Sequence, residues 1–321
     1  MEGLHQPRPC GCKGIRTCLA CERQGTSAAP PATSWNLEAL WRYCYLCGKV
    51  QPPHHDPGVQ VSSSGCCPVV HDNGGFLLPG ILVIPDFISE EEELKMVRII
   101  DESPWKPSQS GRHKQDYGPK PNFKRRKVKM GGFTGLPHFS EPLVARMVEL
   151  ESLQDFVPVE QCHLDYRPDR GSAIDLHFDD FWLWGDRLVT INLLSDTFLL
   201  LKQAAQGAEN GWEAGLSCIA DEYENSQVDS SSETHRSETV SSRTLAVDEL
   251  LIPMPRRSLL VLSADARYKW QHAIPREAIT SRRIAVTLRE LTPEFLPGGA
   301  KETLGKELLD IALTYKGSVV Q

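Results

Sequence analysis

No apolar run in this sequence is long enough to cross a bilayer. The longest, "FLLPGILVI", falls far short of the ~20 residues that a spanning helix needs, so no membrane role is expected. The opening residues, "MEGLHQPRPCGC", lack the apolar core of a secretion signal. The chain is therefore expected inside the cell, in cytoplasm and nucleus. Disulfides are rare there, and its ten cysteines read as metal ligands or inert thiols. Aromatic residues are sparse at 7%, yet 40% of the 321 residues are hydrophobic and 24% charged, the balance of a soluble globular protein with a sizeable core. Of the ten histidines, only His235 and His272 follow His177. That scarcity limits which residues can complete a metal site.

Charge is unevenly spread. Of the net −7, residues 202–245 contribute −5, from eight acids against three bases. Their Ser, Glu, Gln and Gly content, without an apolar period, reads as a disordered acidic insertion. The opposite bias marks residues 112–129, where "RHKQDYGPKPNFKRRKVK" sets eight Lys or Arg around Tyr117 and Phe123. That stretch suits a nucleic-acid backbone with stacked bases, an acidic protein surface or a nuclear signal; the plain alternative is a solvated face.

Four regions result. Residues 1–75 form a Cys-, Pro- and Gly-rich segment expected to be only partly ordered. Residues 76–135 begin with a strand at Gly80–Ile84 and continue into a helix capped by Ser89 with Glu92 as its capping-box partner. Leu94, Val97 and Ile100 make its apolar stripe, Pro104 ends it, and the basic stretch follows as a lid. Residues 136–298 are β-rich, with strands in "FVPVEQCHLDY", "RLVTINLL", "RSLLVLS" and "RRIAVTLREL". Residues 299–321 carry a helix with Leu304, Leu308, Ile311 and Tyr315 on one face.

Two clusters carry chemistry. Near the start, Cys10, Cys12, Cys18 and Cys21 make a C-x-C-x5-C-x2-C run, and four thiolates so close can enclose a tetrahedral Zn2+. Cys44 and Cys47 are alternative ligands, whereas the adjacent Cys66 and Cys67 are a poor chelating pair. The second cluster is "SAIDLHFDDFWLW", Ser172 to Trp184. If it is extended, Asp175, His177 and Asp179 face one way and Asp180 the other. A histidine and a carboxylate two residues apart supply two-thirds of the facial triad that leaves positions open on non-haem Fe(II). His235 lies in the acidic insertion, so the second histidine is expected to be His272, in "YKWQHAIP".

Such an iron site needs an electron donor, commonly 2-oxoglutarate, whose distal carboxylate calls for a bidentate cation. On a strand, Arg283, Ala285, Thr287 and Arg289 face one way, while Arg282 faces the other. The backbones of Arg283 and Arg289 stand about 20 Å apart, so both reach one small diacid only if their side chains converge.

At these residues the sequence resembles the AlkB-type Fe(II)/2-oxoglutarate-dependent dioxygenases. "HFD" at 177–179, the distal His272 and "RIAVTLR" match the family pattern H-x-D, H, R-x-x-x-T-x-R over roughly residues 80–296. The resemblance implies a mostly β fold with α, a double-stranded β-helix (jelly-roll) core with an N-terminal lid and flanking helices. It selects Asp179 over Asp175 and implies iron on His177, Asp179 and His272. It further implies that Arg283 holds the distal carboxylate, with Arg289 as the second family arginine and Tyr166 as a cosubstrate contact. Leu164 stands where the family has an asparagine. For the branch that this chain resembles, the implied reaction is oxidative N-demethylation using O2, with release of formaldehyde, succinate and CO2. The implied substrates are monomethyl-lysine in actin, with a role in actomyosin and cytokinesis, and N6-methyladenine in DNA. The alternatives are a protein side-chain hydroxylase and a largely non-catalytic interaction module. Asp175, Asp180 and the aromatics of "FWLW" read as loop solvation and packing before they read as substrate contacts.

Overall fold

The computed structural model describes residues 10–13, 17–25, 34–53, 75–204 and 247–320. Short strands β1 (Trp41–Cys44), β2 (Lys49–Gln51), β3 (Phe76–Leu77) and β4 (Ile81–Ile84) lead into helix α1 (Glu90–Glu102). Strands β5 (Lys106–Pro107), β6 (His113–Tyr117), β7 (Lys120–Asn122) and β8 (Lys127–Lys129) follow, then helix α2 (Glu141–Met147). Eight strands complete the core: β9 (Pro158–Tyr166), β10 (Ile174–His177), β11 (Trp184–Leu193), β12 (Thr197–Gln203), β13 (Glu249–Met254), β14 (Leu259–Leu262), β15 (Trp270–Ile274) and β16 (Arg283–Leu291).

These eight strands are divided four and four between two sheets. One runs β10-β15-β12-β13 and continues through β1-β2-β3; the other runs β4-β14-β11-β16-β9-β6-β5. Successive strands cross from sheet to sheet except at β12 and β13, which pair with each other, and all pair antiparallel with one another within their sheet, the winding of a double-stranded β-helix. The period of two then sorts the side chains. On β11 and β16, Val189, Ile191, Leu193, Ile284, Val286 and Leu288 pack outward against the two helices. Leu188 and Ala285 point inward, into the core between the sheets. Burying each such aliphatic side chain contributes about 1.5–3 kcal/mol, so the alternation fixes the register strongly.

Several expectations need correction. Ser89 and Glu92 do form the capping box, but the buried face of α1 is Glu93, Met96 and Ile100. Leu94 is 56% exposed. Glu93 takes an inward place because its carboxylate accepts from the Arg256 guanidinium and the Leu194 amide. Strand β12 runs to Gln203, so the first residues of the expected acidic insertion belong to the sheet; residues 205–246 lie outside the described residues.

The N-terminal region also enters the fold, since β1 pairs parallel with β13. The basic stretch is split: His113–Tyr117 is β6, bonded to β9, and only Lys120–Lys129 makes the separate β7–β8 hairpin. In the C-terminal helix, Glu302–Ala312, Leu308 is fully buried and Leu304 and Ile311 pack beside it, but Tyr315 lies past its end with φ of 50°.

Candidate metal centre

Strand pairing brings the two histidines together. His177 ends β10 directly opposite His272 on β15, and their ring centroids are 4.2 Å apart. The imidazole of His177 donates from Nδ1 to the Asp175 carbonyl at 2.8 Å, which leaves the Nε2 lone pair for a ligand. Asp179 follows the strand, with Oδ1 3.7 Å from His177 Nε2. One ligand atom from each of His177, Asp179 and His272 falls within 4.8 Å of the others. This donor set, two imidazoles and one carboxylate, fits a facial Fe(II) site.

The electrostatics keep the donors in the right states. Burial, followed by the neighbouring His177, pushes His272 well below the ordinary imidazole value. His177 is also lowered, chiefly by burial and against the pull of Asp179. Both rings are thus neutral at physiological pH. Burial alone would raise the Asp179 carboxyl, but Arg289, His272, His177 and Arg267 outweigh it and hold it well below the carboxylate range.

Arg289 donates from Nε to Asp179 Oδ2 at 2.8 Å and from Nη1 to Glu160 Oε2 at 2.7 Å. Arg267, 1% exposed, donates to the carbonyls of Asp179 and Asp180 and lies over the Phe181 ring. Asp180 is a turn former: its Oδ1 accepts from the amides of Trp182 and Leu183. Asp175 contributes its carbonyl, while its residue as a whole is exposed.

A cavity of about 70 Å³ runs from this cluster between the sheets to Arg283, passing Leu164, Tyr166, Thr190 and Thr287. At its far end Arg283, 2% exposed, donates from Nε to Asn192 Oδ1 at 2.7 Å and lies 4.9 Å from the Tyr166 ring centroid. Burial lowers its pKa, with Tyr166 opposing. No carboxylate among the described residues pairs with it. A buried guanidinium without a counter-ion is costly, and a carboxylate entering the cavity would relieve that cost. Arg282, on the other face of β16, is taken up by Asp101 and Asp165. The two inward arginines therefore do not converge on one small diacid in this structure: Arg289 is bound to Asp179 and Glu160.

Toward solvent the site opens into a cleft of about 810 Å³, where Asp179 and Arg289 meet Lys114, Lys120, Phe123 and Trp184.

Three residues here escaped the sequence reading. Asn192, fully buried, donates its amide to the Met254, Ser195 and Pro255 carbonyls and orients Arg283. Its signal was a lone amide inside the apolar "LVTINLL". Glu160 and Arg267 had none that separates them from solvated charge.

No family model matches the chain. Two curated relatives, both named alpha-ketoglutarate-dependent dioxygenase alkB homolog 4, align nearly end to end. The Homo sapiens protein is 47% identical over 98% of this chain and 96% of its own length. The Mus musculus protein is 46% identical over 97% of this chain and 96% of its own. A Caenorhabditis elegans protein named DNA N6-methyl adenine demethylase is 33% identical over 94% of this chain and 93% of its own.

Proposed function

The chain belongs to the AlkB family of 2-oxoglutarate- and Fe(II)-dependent dioxygenases, and on that premise we propose that it removes N-methyl groups oxidatively, with His177, Asp179 and His272 holding the iron. Arg283 receives the distal carboxylate of 2-oxoglutarate, with Tyr166 and Asn192 fixing its guanidinium. The observation that carries this reading is one cavity that joins the His–Asp–His cluster to an arginine with no carboxylate partner among the described residues. When bound, iron, 2-oxoglutarate and O2 supply the oxidation, turning an N-methyl into an N-hydroxymethyl that releases formaldehyde, with succinate and CO2 as coproducts. The chain's own contribution is geometric. Arg289 and Arg267 hold Asp179 ionised and in place, His177 is fixed through its Nδ1 bond, and Leu164, Leu188 and Leu199 wall the cavity against water.

For the substrate, we read N6-methyladenine in DNA first. The β7–β8 hairpin presents exposed Lys124, Arg125, Arg126, Lys127 and Lys129 beside the cleft, to track phosphates. Phe123, 42% exposed and edge-on to Trp184, offers a stacking face at its mouth. The C. elegans relative's name agrees with this choice. Monomethyl-lysine in actin is the second reading. An aromatic wall of Phe123, Phe178 and Trp184 close to Asp180 suits a methylammonium cation, and the basic hairpin would meet an acidic protein surface. That reading carries actomyosin and cytokinesis as its setting, and the pair together places the enzyme in nucleus and cytoplasm.

The test supplies purified protein with Fe(II), 2-oxoglutarate and O2, and offers N6-methyladenine DNA and methyl-lysine actin in parallel. Formaldehyde from the DNA supports the first reading; formaldehyde from actin alone replaces it with the second. Release from neither, with 2-oxoglutarate still turned over, would refute demethylation of both.

A further inference from the structure

The four N-terminal cysteines lie away from the dioxygenase pocket, and the reaction makes no use of them. Cys12, Cys18 and Cys21 are buried and Cys10 is half-buried, although they stand near the start of the chain. None of the four is in a disulfide, and their sulfurs fall within 4.8 Å of one another, with Cys10 to Cys21 at 3.4 Å and Cys18 to Cys21 at 3.8 Å. Four sulfurs around one metal at about 2.3 Å stand roughly 3.8 Å apart in a tetrahedron, whereas a disulfide requires about 2.0 Å. The spacing is that of a metal cage.

The seat is built to receive this segment. Gly11 passes so close to the Pro107 and Ser108 backbone that an added Cβ would sit 2.7 Å from the Pro107 oxygen. Gly111, at φ +70°, is pressed between the Arg170 carbonyl and Cys18. Backbone N–H groups of Ser110 and Gly111 point at the Cys12 sulfur, the pattern that stabilises a thiolate on a metal. Beyond the cysteines, Glu22 accepts both guanidinium arms of Arg276 at 2.7 and 3.0 Å.

We propose that Cys10, Cys12, Cys18 and Cys21 enclose a structural Zn2+ that fastens residues 10–13 and 17–25 onto the turns from which β6 and β10 start. The cage has four protein ligands and no open position, so it is structural rather than catalytic. What it clamps matters for the other metal. Ser110 O accepts from the Ala173 amide and Gly111 O from Ser172 Oγ, and Ala173 leads directly into the strand ending at His177. The zinc thus braces the approach to the triad without touching it.

The test measures zinc in the full chain purified under reducing conditions, in a His177→Ala, Asp179→Ala background so that the triad cannot hold it. About one zinc per chain is expected, and a Cys18→Ser, Cys21→Ser change should remove it. X-ray absorption at the zinc edge should show four sulfur neighbours at about 2.3 Å. In the chain with intact cysteines, a thiol-competitive chelator should release the metal and open residues 17–25 to protease, while circular dichroism shows the sheets retained. Zinc absent from the intact chain, zinc surviving the double cysteine change, or a nitrogen in its shell (His113 lines a pocket with Cys10 and Cys18) would each overturn the four-cysteine cage. None of these readouts depends on the iron reading.

Discussion

Arg283 and Arg289 stand six residues apart on one face of one strand, the first deeply and the second partly buried, and they have opposite fates. Arg289 is saturated by Asp179 and Glu160, which outweigh its burial and hold it well above its ordinary pKa. Among the described residues Arg283 meets an amide oxygen, a thioether and an aromatic ring, and burial lowers it. On the proposed function, the same side chain would be part of the metal's surroundings at one end of the pocket and a receptor for a free anion at the other. What separates them is the strand opposite: β9 supplies Glu160 to one and Tyr166 to the other.

Changes at either end should break this contrast in different ways. Replacing His177 and Asp179 together by alanine is expected to abolish succinate formation, measured by single-turnover product analysis. Arg283→Gln should raise the KM for 2-oxoglutarate ~100-fold, about 2.7 kcal/mol, with iron affinity unchanged by titration. Arg289→Gln should do the reverse: a ~10–100-fold weaker iron affinity with a smaller change in cosubstrate KM. If the two variants gave one pattern, the division of labour between them would be wrong. Asn192→Ala should raise the 2-oxoglutarate KM ~10-fold, since it removes a hydrogen bond to a charged group and leaves Arg283 able to swing.

His163, on the outer face of β9, is the neutral counterpart that sharpens the comparison. It is bonded to Gln115 and Gln161, and burial pushes its pKa down to about 3. Between pH ~6.5 and that value the unfolded chain takes up a proton that the folded chain refuses. Stability should therefore fall as pH drops through this window, by up to ~1.4 kcal/mol per pH unit. A His163→Gln variant should flatten that limb in denaturant titrations and leave turnover unaffected.

Strand parity made much of the site legible in advance. The alternation in "RIAVTLR" sets Arg283 and Arg289 inward and Arg282 outward, and the shortage of histidines after His177 points to His272. What was hidden depends on partners distant in sequence. Strands of two to four residues such as β1, β2 and β3 carry no period to detect, and β1 exists because β13 offers it an edge. Leu94 has the spacing of a core residue, yet Glu93 occupies the inward position because Arg256 and the Leu194 amide satisfy its charge. The cysteine spacing announced a cluster, but nothing local told of the turn at Ser110 and Gly111 against which it folds. Asn192 is the sharpest lesson: an amide within an apolar strand is itself the anomaly that reveals a buried cation nearby.

The register that seats His177 opposite His272 would also link a bound metal to the fold. Strand β10 is four residues long and lies at the margin of its sheet, with β15 as its one neighbour. An ion gripping both histidines joins that margin to the interior across a gap of 95 residues in sequence, so ligation energy becomes folding energy. Iron should then raise the melting temperature in proportion to the logarithm of its concentration above the dissociation constant, and amide exchange should slow first along Ile174–His177.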